Sequence, residues 1–139
     1  MSFDEAAAQR FFAEPHVGVF AVEVRSGPPA AVPIWYSYTP GGEVWINTPE
    51  SSRKARALRR TGQATMVVDT VSPVLRYVSV DLELISSRPT TFDDQAEMAA
   101  RYLSGDALAQ FLEFSRAHLH GEVRYTLRPT RWRYADMTM

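Results

Sequence analysis

Short segments with apolar residues at every second position, separated by glycine and proline, run through most of the chain. VGVFAVEV (17–24), AAVPIWYSY (30–38), EVWINT (43–48), ATMVVD (64–69) and LRYVSVDLELIS (75–86) are rich in β-branched and aromatic residues. That composition predicts strands. A sixth strand region, EVRYTLRPTRWRYADM, begins at Glu122 and is interrupted at Pro129. TPGG (39–42) is a strong turn signal, so 17–48 reads as a three-stranded antiparallel meander. Three segments break the pattern with a helical composition. The first is FDEAAAQRFFAE, with Ser2 and Glu5 in capping-box spacing and Pro15 as its stop. The second spans about 51–60 and is closed by Gly62. The third is an insert at 91–118, split at Ser104–Gly105; in its second half Leu108, Phe111, Leu112 and Ser115 share one face and Asp106 is the expected cap.

Strands that recur with so few helices predict a mainly β, α+β chain: a six-stranded, closed or nearly closed antiparallel barrel with flanking helices. Closure removes exposed edges, which favours a barrel over its rival, a flat sheet with helices on one face. At 139 residues the chain is expected to be one domain, 1–139, able to bury a core without a metal or disulfide staple. It has no cysteine, which excludes thiolate metal sites and thiol catalysis. The opening segment lacks a basic stretch followed by an apolar run, and no run of about 18 apolar residues occurs, so a cytoplasmic location is expected.

Net charge is −1, yet one stretch is strongly basic: NTPESSRKARALRR (47–60). Ser51 or Ser52 suits an N-cap, and Arg53 and Lys54 follow at once. A helix N-terminus already carries partial positive charge, so two cations are misplaced there unless an anion sits on them. Arg53, Arg56 and Arg60 share a face, and like charges at that spacing repel. Free N–H groups, serine hydroxyls and cations would converge on a phosphate. Two other readings stand beside this one: a solvated basic face, with Arg59 and Arg60 complementing the C-terminal end of the dipole, and a nucleic-acid helix. The slightly acidic remainder of the chain argues against general nucleic-acid affinity.

The strand VPIWYSY carries Pro33 where a ladder donor is needed, which marks an edge, a bulge or a strand end. Trp35 and Tyr36 supply aromatic surface there, and their ordinary role would be packing. A hairpin places them beside WINT, which leads into the basic helix.

Taken together, PIWYSYTPGGEVWINTPESSRKARALRR, RYVSV and LRPTRWRYADM resemble the pyridoxamine 5′-phosphate oxidase-like family of flavin-binding split β-barrels. The resemblance implies that Thr48, Ser51, Ser52, Arg53 and Lys54 hold a cofactor phosphate. It implies that Pro33, Ile34, Trp35 and Tyr36 run along the cofactor ring. It also implies a homodimer with cofactor between the subunits, and FMN or the deazaflavin coenzyme F420 as cofactor. The implied function is oxidation or reduction of a small molecule, with no catalytic side chain and the cofactor itself carrying the chemistry. A non-enzymatic flavin, deazaflavin or haem carrier is the alternative. The chain departs from the family pattern at Ala57 and at Asp81–Glu83.

Other chemistry is sparse. His118 and His120 are two apart with no third ligand near in sequence, and read as loop or surface residues. Asp93 and Asp94 read as first-turn helix acids. RPTRWRY is expected to be a strand with Trp132 and Tyr134 on one face.

Overall fold

The computed structural model describes residues 4–137. Within them the chain forms α1 (Glu5–Ala13), β1 (Gly18–Val22), β2 (Ala30–Ile34), β3 (Ser37–Tyr38), β4 (Val44–Pro49), α2 (Arg53–Thr61), β5 (Gln63–Thr70), β6 (Arg76–Pro89), α3 (Phe92–Tyr102), α4 (Gly105–His118) and β7 (Glu122–Asp136). The sheet has seven antiparallel strands in the order β2-β1-β5-β6-β7-β4-β3, not the six expected. The seventh arises because 30–38 is two strands, β2 and β3, separated by a bend at Trp35 and Tyr36.

That bend shows that the sheet closes. β2 and β3 lie at opposite ends of the strand order, yet Ile34 and Ser37 are three residues apart. Three residues span at most about 11 Å, so the two edges of the sheet must meet. The sheet is therefore rolled into a barrel whose seam is crossed by the chain and not by a ladder. The expected meander is corrected accordingly: β1 pairs with β2 and β3 with β4, but β2 and β3 flank the seam.

Period-two alternation fills the inside. Phe20 and Val22, Val44 and Ile46, Met66 and Val68, Val78, Val80 and Leu82, and Tyr125 and Leu127 join one buried cluster with Phe11 and Phe12 of α1 and Leu58 of α2. Burying such side chains contributes roughly 1.5–3 kcal/mol each. Where β1 crosses this core, Gly18 allows a close approach: a Cβ there would lie 2.5 Å from Met66 Sδ, and that side chain would have to shift. Pro129 does not break the last strand. Asp81 pairs with Arg131 and Leu82 with Pro129, so Thr130 bulges out and the ladder resumes.

The helix ends differ in part from expectation. Ser2 lies outside the described residues; Asp4 caps α1 through a bond from the Ala7 N–H, 3.0 Å. Gly62 closes α2 at φ 71°, as its position after the basic run predicts. Asp106 is a first-turn residue of α4, and the N-cap is Ser104, whose side chain makes no capping bond. Of the predicted face of α4 only Ser115 is buried.

Asp94 does more than sit in a helix first turn. It completes a capping box with Thr91. Its carboxylate also takes both guanidinium nitrogens of Arg88, at 2.6 and 2.9 Å, and Arg124 Nη1 at 2.9 Å. This lock ties α3 to β6 and β7, and Arg124 lies over the Trp45 ring at 3.9 Å. Burial alone would raise the Asp94 carboxyl, but hydrogen bonds from Arg88, the Thr91 backbone and Arg124 together hold it well below the usual carboxylate range. We predict that Asp94→Asn destabilises the fold by about 1.5–3 kcal/mol at pH 7, the worth of charge-assisted hydrogen bonds to two arginines that keep part of their contact with solvent. A carboxyl depressed in the folded state stabilises above its unfolded value near 4, and the benefit fades as pH falls below that. Urea unfolding of both proteins at pH 7 and pH 3 is expected to show the gap shrinking in acid; an equal gap at both would show that the charge is not the cause.

Candidate functional site

Helix α2 follows β4 directly, so the strand aims its N-terminus. Ser52 is the N-cap and its hydroxyl accepts from the Ala55 N–H at 3.2 Å. Thr48 Oγ1 lies 3.3 Å from Ser52 Oγ and is 1 % exposed. Thr48 thus points inward from β4 and fixes the capping hydroxyl from behind. The first turn contains no acid.

The five cations of α2 divide into two groups. Arg56 Nη1 donates to the Ser51 carbonyl at 3.1 Å. Arg59 Nη1 donates to the Glu50 carbonyl at 3.1 Å and to the Tyr125 hydroxyl at 2.6 Å. Arg60 Nη2 donates to the Glu23 carbonyl at 2.8 Å. These three staple the helix to the barrel. Arg53 and Lys54 make no hydrogen bond or ion pair within 4 Å among the described residues, so the cations nearest the helix N-terminus are the ones left for an outside anion. Lys54 is nonetheless influenced by Glu122 at the start of β7. Burial lowers the Lys54 amine from its ordinary range and Glu122 partly opposes this; burial raises the Glu122 carboxyl and Lys54 partly opposes that.

A cleft of about 450 Å³ opens at this point, lined by Pro29, Ala30, Ala31, Val32, Ser52, Arg53 and Lys54. Its other wall is the edge strand β2, so the helix terminus faces a strand with one unpaired side. A larger concavity of about 580 Å³ lies near Thr61–Thr65 and Asp81–Glu83. There Asp81 is already held by Arg133, at 3.1 and 2.9 Å, and by the Thr65 hydroxyl at 3.0 Å, and no lysine or arginine lines the space. The smaller cleft carries the uncommitted charge.

Ser52, Arg53 and Lys54 therefore meet in one cleft, Thr48 stands behind them, and Ser51 is exposed beside them. The segment 33–36 continues β2 past the cleft and splits by alternation. Pro33 is exposed and Trp35 half-buried, whereas Ile34 is 8 % and Tyr36 0 % exposed. The Tyr36 side chain faces the core, stacks on Phe12 at 4.5 Å and donates to the Phe12 carbonyl at 2.6 Å. Burial pushes its phenol above the ordinary range. The Tyr36 side chain is thus withdrawn from any ligand on the outer surface. Its backbone is also engaged: the N–H donates to Tyr102 Oη at 3.1 Å, and the carbonyl accepts from Arg101 Nε at 2.9 Å and lies 2.9 Å from Tyr102 Oη.

Glu122, Arg101 and Tyr102 are not apparent as site residues in the sequence. They lie more than 60 residues from their partners, and the one linear signal was the arginine–tyrosine pair at the end of a helix of undefined purpose. His118 is exposed and held to the Phe114 carbonyl at 2.8 Å, and His120 is exposed. No group of three or more metal-ligating residues occurs among the described residues, and no described helix is long and apolar enough to cross a membrane.

No protein-family model and no curated protein matches the chain. Solved structures do. An F420 reductase shares 18 % identity and a TM-score of 0.72, covering 90 % of this chain and 94 % of its own. A conserved hypothetical protein from Mycobacterium tuberculosis shares 22 % identity and a TM-score of 0.72, over 98 % of this chain and 86 % of its own. An FAD-binding protein from Mesorhizobium loti shares 15 % identity and a TM-score of 0.66, over 96 % and 93 %. The fold is therefore that of the pyridoxamine 5′-phosphate oxidase-like split barrels, as the sequence resemblance implies.

Binding of a tetrahedral dianion at Arg53 and Lys54 is directly testable. Sulfate is expected to raise the melting temperature of the wild type, by mass action on the folded state, with about 1.4 kcal/mol added at ten times the dissociation constant. The Arg53→Ala/Lys54→Ala variant is expected to lose that response. Equal shifts in both would place the anion elsewhere.

Proposed function

We propose that the chain is a flavin- or deazaflavin-dependent oxidoreductase acting on a small molecule. The observation that carries this reading is the pair of cations, Arg53 and Lys54, without a hydrogen-bonded partner at a serine-capped helix N-terminus, opening on a cleft against an edge strand. The donor set fits a phosphomonoester: two cations, a helix terminus and no carboxylate in the cleft lining. The fold likeness to an F420 reductase and an FAD-binding protein adds support. When bound, the ring supplies the hydride chemistry.

In this reading Lys54 and Arg53 neutralise the phosphate, Ser52 and the first-turn backbone orient it, and Thr48 keeps Ser52 in place. Pro33 and Trp35, the outward members of their segment, lie along the ring. Ser51 contributes from the rim. Ile34 and Tyr36 act from within, by fixing the strand. Glu122 moderates the charge of Lys54, and so tunes the affinity of the site for an anion.

A homodimer belongs to the same proposal. Val17, Val19 and Tyr77 are 54 %, 44 % and 39 % exposed, and Val19 is paired across β1 and β5 with Val67. Such apolar surface on a small barrel suits contact with a second copy. Light scattering at micromolar concentration is expected to give twice the chain mass; a monomer that still binds cofactor would remove this part alone.

The central test is titration with FMN and with coenzyme F420, followed by turnover with a reductant and acceptors. Saturable binding of one cofactor with turnover is expected. Binding without turnover would make the protein a carrier, and binding of neither would overturn the reading. Lys54→Ala is expected to weaken cofactor binding by about 1.5–3 kcal/mol, the worth of a charge-assisted hydrogen bond.

A further inference from the structure

We infer that the helical insert α3 is part of the cofactor site, with Tyr102 and Arg101 as positioning residues for the ring end of the cleft. The inference rests on the cofactor reading above. It starts from the seam. Where the chain crosses between sheet edges at Trp35 and Tyr36, no neighbouring strand supplies ladder partners. The N–H and C=O of Tyr36 would be left unpaired beside a buried side chain, at the cost of an unmade hydrogen bond for each.

Both groups are met from α3, some 65 residues away. Tyr102 Oη accepts from the Tyr36 N–H at 3.1 Å and lies within donating reach of two carbonyls, His16 at 2.8 Å and Tyr36 at 2.9 Å. Arg101 Nε donates to the Tyr36 carbonyl at 2.9 Å. The Arg101 guanidinium also lies 5.7 Å from the centroids of the Tyr36 and Tyr102 rings. The Tyr102 ring stacks on Trp35, with centroids 4.7 Å apart and planes 11° apart, and Phe111 of α4 meets the same indole at 5.4 Å. The insert thus holds the backbone of the bend and the orientation of its one outward aromatic side chain.

The rest of the insert is built to keep that grip. Its far end is locked to the barrel through Asp94, Arg88 and Arg124. Its second helix adds little to the core, since α4 buries only Ser115, whereas α3 buries Met98 and Ala99 beside Asp94. One strand joins this grip to the anion cleft: β2 lines the cleft over Ala30–Val32 and reaches the bend at Trp35. Three residues of strand cover about 10 Å. A ligand with a phosphate at one end and a planar ring at the other would lie along that stretch, its two ends governed by α2 and α3 separately.

The test compares wild type, Tyr102→Phe, which keeps the stack and removes the hydroxyl, and Tyr102→Ala, which removes both. Each is measured for FMN and F420 affinity, for the absorption spectrum of the bound ring, and for the melting-temperature shift caused by sulfate. We expect Tyr102→Phe to weaken the cofactor that binds by about tenfold and Tyr102→Ala by more, with a changed ring spectrum. The sulfate shift should match wild type, because the α2 end is untouched. Arg101→Lys, which keeps the charge and alters the donor geometry, should give an intermediate loss. Cofactor affinity within twofold of wild type in Tyr102→Ala would overturn the inference and leave the cofactor reading standing. A parallel loss of the sulfate shift in Tyr102→Phe would also overturn it, by showing general loosening and not positioning. Failure of the wild type to bind either cofactor would overturn both.

Discussion

The structure depends on one backbone constraint: a rolled sheet whose two edges are joined by a three-residue crossing has to satisfy the polar groups at that crossing without a ladder. Everything on the seam side follows from it. Tyr36 turns its ring inward, where its hydroxyl reaches the Phe12 carbonyl and ties α1 to the seam. The same residue turns its amide outward, where Tyr102 and Arg101 meet it. Alternation then leaves Trp35 on the outside, against the insert. Without the insert the seam would keep its covalent link and lose its hydrogen bonds.

The far side of β2 is governed by charge. Ridding α2 of cations would have been the simple way to accommodate its dipole. The chain instead assigns three arginines to carbonyl or hydroxyl partners, which holds the helix to the barrel end, and leaves two cations at the terminus. The distinction is between charges that act on the protein and charges available to something else. Glu122 sits between these cases, since it moderates Lys54 without closing a salt bridge.

Much of this architecture is legible in the sequence because it is local. Period-two alternation marks β1, β5, β6 and β7, Ser52 and Gly62 bracket α2, and an N-terminus with arginine and lysine in place of acids marks the cleft where Ser52, Arg53 and Lys54 meet. The division of 30–38 into two strands is not legible, because VPIWYSY has the composition of one continuous strand and only the meeting of the sheet edges cuts it. Alternation does predict that Pro33 and Trp35 face opposite to Ile34 and Tyr36, but treating the four as one lining set passes over that. The bulge at Thr130 hides in the same way: Pro129 reads as a break, whereas an extra residue lets the ladder continue. Arg101, Tyr102 and Glu122 are hidden for a different reason. Their roles come from strand register and from the return of an insert, which depend on pairings more than 60 residues apart.

Pro33 has a consequence that lies outside ligand binding. β2 is the terminal strand of the sheet, with β1 on one side only, and a free strand edge is a template on which another chain can add. Proline has no amide hydrogen to offer to an incoming strand. Along β2 the edge is shielded by the α2 terminus at Ala30–Val32 and blunted by Pro33 directly after. The cleft and the imino ring thus occupy consecutive positions of one edge strand, so the residues that shape the cleft also leave that edge a poorer template for a second chain.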